Sequence, residues 1–236
     1  MPTLLPDSAV VEEFRRRVIA WYEECGCRHL PWRNVRDGWA VLVASLLLRK
    51  TTVAQVVGVY EEFLRRFPSP QSLLSASEGD VESIIKPLGI HQRAKLFKEL
   101  ARVLVERFGG KVPCSRRELE SLPGVGPYAA SEVLLRACGR PEPLLDRNMI
   151  RVIERVFGAA SLKKRPHTDP ELWALARKLV PENPEDAEKF NFGVLDLARK
   201  VCRARGPRCG ECPVGDLCRH FLNCRGLKAG STPGAG

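Results

Sequence analysis

Residues 118–135 read ELESLPGVGPYAASEVLL. Glu118, Leu119 and Leu122 mark the end of one helix by their spacing, and Tyr128 with Val133, Leu134 and Leu135 marks another. Between them Pro123-Gly124-Val125-Gly126 makes a turn with almost no side chain. A helix N-terminus leaves backbone N–H groups without intrahelical acceptors and carries partial positive charge. Glycine at 124 and 126 leaves that backbone open to an anion, and Pro127 suits the first turn of the next helix. The same glycines also serve a plain helix–helix turn that needs positive φ. With Leu122-Pro123 leading in and a helix on each side, the stretch reads as a helix-hairpin-helix, a motif that grips a phosphate backbone without reading sequence.

Helical spacing continues in both directions. Val10, Val11, Phe14, Val18 and Trp21 share one face after Asp7-Ser8. Asp37 caps an apolar segment, Trp39 to Leu48, that suits a helix buried on most sides. Thr52 and Gln55 form a capping box, and Ser115 and Glu118 are expected to form a second. Ser69-Pro70 opens a short helix, another precedes Pro87-Leu88-Gly89, and Leu96 to Leu104 mark a long one ending at Gly109-Gly110. Asp146 precedes Met149, Ile150, Ile153, Val156 and Phe157, and the last helices cover Leu172 to Leu179 and Phe192 to Val201. No segment alternates as a strand does, so the expected fold is all-α. The tail from 225 to 236, with its GLKAGSTPGAG run, is expected to be disordered.

The chain has 236 residues, 44% of them hydrophobic, enough for a sizeable core. No apolar run approaches the roughly 20 residues needed to cross a bilayer, and the start turns charged too early for a secretory signal. An intracellular protein is expected. Lys and Arg number 38 against 28 Asp and Glu, a net charge of +10 that favours a polyanionic partner. Only two methionines and few glutamines suit a hot habitat.

Nine cysteines, without a secretory signal, read as reduced thiols rather than a disulfide framework. Cys202, Cys209, Cys212 and Cys218 are spaced x6, x2 and x5. Four soft thiolates in so short a loop can wrap one metal centre. Structural zinc usually pairs two knuckles across a longer insert, so the compact run suits a [4Fe-4S] cluster better, although the spacing is not that of ferredoxins. Cys25, Cys27, Cys114 and Cys138 read as structural, and Cys224 as free. Arg203, Arg205 and Arg208 lie in the loop between the first ligands, as a prong for phosphates or as a solvated charge run.

The hairpin LPGVG, an aspartate 18 residues past Tyr128 and the Cys-x6-Cys-x2-Cys-x5-Cys run together resemble the helix-hairpin-helix DNA glycosylases, relatives of endonuclease III and the adenine mismatch glycosylases. The resemblance runs from about residue 10 to Cys224, and LPWR at 30–33 with LLLRKTT at 46–52 is most similar to the archaeal thymine/uracil mismatch enzymes. It implies two helical domains flanking a DNA-binding cleft. Residues 30–140 would form a six-helix barrel with the hairpin, and 1–29 with 141–224 an iron–sulfur cluster domain. It implies a monomer acting on mismatched double-stranded DNA, with no membrane partner.

The resemblance also assigns roles. Bifunctional relatives carry a lysine after the hairpin that forms a Schiff base with the sugar. Here the position is Tyr128, whose phenol forms no imine, so the resemblance implies a monofunctional glycosylase with lyase activity absent or weak. Tyr128 would line the pocket, or pack beneath the hairpin. Asp146, otherwise an ordinary N-cap, would face it and stabilise positive charge at C1′ or orient water. Arg49-Lys50 and Leu88-Gly89-Ile90-His91 correspond to two loops that fill the vacated stack, with Ile90 as an apolar wedge and Arg49 reaching the orphaned guanine. Adenine-excising relatives place a glutamate where this chain has Ser45, which disfavours adenine. Adenine excision opposite guanine or 8-oxoguanine, a non-catalytic DNA clamp and electron transfer through the cluster are the rival readings.

Overall fold

The structure, a computed structural model, describes residues 7–226. Every regular element among these residues is a helix or a 3-10 turn. Two compact units divide the chain: Arg28–Arg140, and a second assembled from the segments up to Cys27 and from Pro141 onward. No described helix is long and apolar enough to cross a membrane.

The Arg28–Arg140 unit holds α2 (Gly38–Leu47), α3 (Val53–Arg66), α4 (Pro70–Ser75), α5 (Glu78–Ile85), α6 (Ala94–Phe108), α7 (Arg116–Glu120) and α8 (Pro127–Arg136), following α1 (Ser8–Cys25) of the other unit. Helix α2 is the centre: every residue from Trp39 to Leu47 is buried, as a sequence apolar at all of these positions but Ser45 demands. Its Leu and Val side chains each contribute about 1.5–3 kcal/mol through burial. Trp39 Nε1 donates to the Phe67 carbonyl at 2.9 Å, and the Tyr60 hydroxyl to that of Ala40 at 3.3 Å, so the two polar tips in this core are satisfied. Asp37 caps α2 through Ala40 N, and Thr52 with Gln55 caps α3 reciprocally.

The Ser115–Glu118 capping box does not form: Ser115 precedes α7 without a side-chain capping bond. Helix α7 is only five residues long, and its end is fastened by other groups. Arg116 donates to Ser131 Oγ at 3.0 Å, and Cys114 is joined to Cys138 by a disulfide, with a Cα–Cα distance of 5.8 Å. That bond corrects the expectation of reduced thiols for this pair. Neither cysteine has a neighbour in sequence that announces its partner 24 residues away.

The other unit contains α1, α9 (Arg147–Phe157), α10 (Pro170–Leu179), α11 (Pro184–Lys200) and α12 (Arg219–Cys224). Helix α11 begins well before the expected Phe192, because Asn183 accepts from Glu185 N and Asp186 N and Pro184 fills the first turn. Helices α1 and α11 cross closely: a Cβ on Gly193 would lie 2.8 Å from Val18 Cγ1 and 3.0 Å from the Val18 carbonyl. Phe14 meets Phe157 and Phe190 edge-on at 5.1 and 5.7 Å, locking α1, α9 and α11 together. Buried Asp196 accepts from Cys27 N at 2.8 Å, fixing the end of the N-terminal segment. Of the expected tail, residues 227–236 lie outside the described residues.

Candidate active site and cysteine cavity

Within the Arg28–Arg140 unit the hairpin backbone takes two conformations with different demands. Gly124 lies at φ 77, where an added Cβ would also stand 2.8 Å from Leu96 Cδ2. Gly126 is extended, with φ −101 and ψ −176, and a Cβ there would meet nothing within 4 Å. Gly124 is therefore required by the fold, whereas Gly126 leaves open space over the first turn of α8. Tyr128, half-buried, is the second residue of that helix.

The loop after α2 is joined to this turn. Exposed Arg49 donates through Nη1 to the Gly124 carbonyl at 3.3 Å. Lys50, also exposed, is the only non-glycine residue with positive φ among those described, at 64°. Ser45 lies deeper on the same helix, 8% exposed. Arg93, which the sequence did not single out, donates to the Leu46 carbonyl at 3.0 Å. Burial, and then the Arg49 guanidinium, press its pKa down. Two crowded cations beside an open helix N-terminus attract an anion.

The second loop differs from expectation. Ile90 is 4% exposed, so its side chain anchors the loop and is not presented as a wedge. An exposed isoleucine would cost the hydrophobic free energy that burial recovers. Gly89 at φ 66 turns the chain, and His91 is the exposed side chain there.

In the other unit Asp146 caps α9. Its Oδ1 accepts from Asn148 N at 2.7 Å and Met149 N at 2.9 Å, and its Oδ2 from the Asn148 side chain at 2.6 Å. Burial pushes the carboxyl's pKa up, against the lowering effect of these bonds and of Arg151. The segment leading to it is held by Asn191, which accepts from Leu144 N at 2.7 Å and donates to the Glu142 carbonyl at 3.1 Å.

Helix α9 continues from Asp146 to the cysteine loop. Arg151 donates to Asn148 Oδ1 at 3.2 Å and through Nε to the Cys202 carbonyl at 2.8 Å. One turn on, Arg155 donates to Cys202 Sγ at 3.3 Å and to the Arg203 carbonyl at 2.8 Å. The Cys218 thiol donates to the Arg155 carbonyl at 3.3 Å. Asn148, Arg151, Arg155 and Asn191 escaped the sequence reading. The i, i+4 spacing of the two arginines was the available signal.

Cys202, Cys209, Cys212 and Cys218 all line one small cavity, walled by Val152, Val156, Leu197, Val201, Val214 and Phe221. Burial pushes Cys212 up to about 11 and raises Cys209 and Cys218. Among the described residues no three His, Cys, Asp or Glu side chains converge closely enough for one metal ion. Cys224 and Cys25 are exposed free thiols, and Cys27 is a buried one. In the prong, Arg203 turns back onto the Gly206 carbonyl at 2.8 Å and Arg208 pairs with Glu211 at 3.6 Å.

Residues 43–178 match the family model described as HhH-GPD superfamily base excision DNA repair protein. The chain is 59% identical over 221 residues to a thymine-DNA glycosylase of Aeropyrum pernix, covering 93% of this chain and 99% of that one. It is 62% identical over 214 residues to a thymine/uracil-DNA glycosylase of Pyrobaculum aerophilum, covering 90% and 93%. A solved structure described as a thermostable thymine-DNA glycosylase superposes with a TM-score of 0.85 at 33% identity, covering 92% of this chain and 98% of its own.

Proposed function

The chain belongs to the HhH-GPD superfamily of base excision DNA repair proteins, and we propose that it is a monofunctional DNA glycosylase that removes thymine or uracil from mismatches with guanine. The observation that carries the reaction is Asp146, a half-buried carboxylate fixed by two backbone amides and a side-chain amide, in a chain whose hairpin is followed by tyrosine rather than an amine. Identities of 59% and 62% to thymine- and thymine/uracil-DNA glycosylases support the choice of base.

In this reading the hairpin and the Arg49–Arg93 pair hold the phosphate backbone of a duplex, and the mismatched base leaves the stack at reduced cost. Asp146, ionised, stabilises the positive charge that grows on C1′ as the glycosidic bond stretches, and orients the water that completes the substitution. Its fixed hydrogen bonds mean that no reorganisation is needed when that charge appears. The departing pyrimidine carries its negative charge on carbonyl oxygens. Ser45 and Tyr128 supply hydroxyl donors of the type those oxygens need, whereas neither is an acid able to protonate adenine. Tyr128 forms no imine, so the sugar–phosphate strand stays intact and an abasic site remains.

The four cysteines of the C-terminal cavity fit a [4Fe-4S] cluster. All four line one apolar space, while among the described residues no three His, Cys, Asp or Glu side chains gather round a single ion. A tetrahedral zinc needs each sulfur about 2.3 Å from one point, while an iron–sulfur cube spreads its thiolates over separate corners. The cluster, when bound, supplies a structural crosslink for the Cys202–Cys218 loop. Arg151 and Arg155 then hold that loop against the helix that carries Asp146.

Single-turnover excision from labelled duplexes with T·G, U·G, A·G and A opposite 8-oxoguanine tests the reading, alongside Asp146→Asn. Strand breaks at T·G and U·G that require alkali, and vanish in the variant, are the expected result. Breaks opposite adenine alone, or none with binding intact, would overturn it.

A further inference from the structure

We propose that the Cys114–Cys138 disulfide is a redox latch on the hairpin: it closes α7, the Pro-Gly-Val-Gly turn and α8 into one covalent ring, and its reduction loosens α7 and the turn and weakens their hold on duplex DNA. The link to DNA rests on the reading of the hairpin given above. The latch itself rests on the geometry of the ring.

The bond sits at both margins of the motif. Cys114 immediately precedes Ser115, the N-cap of α7, and Cys138 immediately follows Ala137, the C-cap of α8. Everything that makes the helix-hairpin-helix lies between them. Helix α7 needs such a fastening. Its five residues are far below the length at which a helix is stable alone, and its N-cap makes no side-chain bond. In the same unit Thr52, Ser69 and Ser77 all form complete capping boxes. Buried Leu119 and Leu122 and the Arg116–Ser131 hydrogen bond attach α7 noncovalently, and buried Val125 with the Arg49–Gly124 hydrogen bond adds to the hold on the turn.

Helix α8 is held differently. Ala129 to Arg136 are all buried, and Arg136 donates to the Trp32 carbonyl and to that of Val35 at 2.8 Å. Opening the ring therefore releases its α7 side and leaves α8 seated. Cys114 is exposed and Cys138 half-buried, so a small dithiol reaches the bond from the Cys114 side. Its thiolate attacks Cys114 Sγ, and Cys138 departs as a thiolate. The reagent's second thiolate then displaces Cys114 and closes the reagent's own disulfide, so that two electrons pass to the protein and both cysteines end as thiols.

The experiment uses the full chain with its cysteine cavity loaded, before and after a dithiol, beside a Cys114→Ser/Cys138→Ser double variant. Peptide-resolved alkylation reports the bond, hydrogen exchange reports residues 115–126 and 127–136 separately, and fluorescence anisotropy reports binding to an undamaged duplex. Native protein should resist alkylation at both positions. Reduction should speed exchange over 115–126 on the order of 100-fold, the scale of a loop-closing disulfide, leave 127–136 protected, and weaken DNA binding about tenfold. The double variant should behave as reduced protein and ignore the dithiol. Free alkylation of both cysteines in native protein, or unchanged exchange over 115–126 after reduction, would overturn the latch. Faster exchange with unchanged affinity would overturn its coupling to DNA. Oxidised protein that binds no duplex would sink the glycosylase reading instead, with the exchange result still deciding the latch.

Discussion

Gly126→Ala isolates the anion site of the hairpin from the stability of the fold. Position 126 is extended, and the added methyl has no neighbour within 4 Å, so neither strain nor overlap opposes it. The remaining effect is the poorer N-cap, about 0.5–1 kcal/mol, or a Tm lowered by roughly 1–4 °C in a protein of this size. Binding should suffer far more. The methyl stands over the opening turn of α8, where a phosphate oxygen must come within about 3 Å of a backbone N–H. Loss of one hydrogen bond to a charged group costs about 1.5–3 kcal/mol, so affinity for an undamaged duplex should fall about 10- to 150-fold. The slope of log K against log salt should stay nearly constant, because no cation has been removed. Gly124→Ala is the counterpart. At φ 77, with Leu96 Cδ2 at 2.8 Å, it should lower stability by about 1–2 kcal/mol, the half-buried leucine giving way. Anisotropy titrations and thermal melts of both variants check the pair. A Gly126→Ala protein that binds like wild type would refute phosphate docking on this turn.

Asp146→Asn should lower single-turnover excision by about 10²–10⁴-fold and raise the Tm. Burial raises the folded pKa above the unfolded value, so the group's contribution to stability is present below the unfolded pKa and lost as pH rises through the folded one; near neutrality the ionised carboxylate is a cost that asparagine removes. For the same reason the wild-type excision rate should rise with pH through a value above the ordinary aspartate range, a limb that a pH–rate profile of the variant would lack. Tyr128→Lys should gain an amine able to attack the sugar, seen as a borohydride-trapped protein–DNA adduct that wild type does not form. Cys212→Ser should lower iron and sulfide content and make the Cys202–Cys218 loop sensitive to protease, while Arg28–Arg140 keeps its hydrogen-exchange protection.

Helices whose apolar pattern is long or nearly unbroken were legible from sequence: α2 because Ser45 alone interrupts its apolar run, α3 through its capping box, α9 through an aspartate three residues before its first apolar side chain. Short elements and loops were not. Whether Ser115 caps α7 depends on where Cys114 and Arg116 are tied, and both partners lie in α8 or just past it. Ile90 in a turn between glycine and histidine looks exposed by its neighbours, yet the loop folds it inward. The cysteine run was legible from spacing alone, whereas the arginines that hold it come from α9, about 50 residues earlier in sequence. Asn191 reads as one more polar residue in a helix, and only the packed segment before Asp146 gives it a task.

The close crossing of α1 and α11 has a consequence for biosynthesis. Cys27 N and the Asp196 carboxylate, which fasten the end of the N-terminal segment, are 169 residues apart in the chain. At about 5–20 residues per second of translation, α1 waits roughly 8–34 s for its partner. Throughout that interval Phe14, Val18 and Tyr22, the side chains α1 buries in the finished protein, have no α11 to cover them. Arg28–Arg140, contiguous in sequence, can complete its own core first. Helix α1 thus leaves the ribosome long before the helix that houses it, and a circular permutant that begins near residue 28 and carries residues 7–27 after α12 would shorten its exposure.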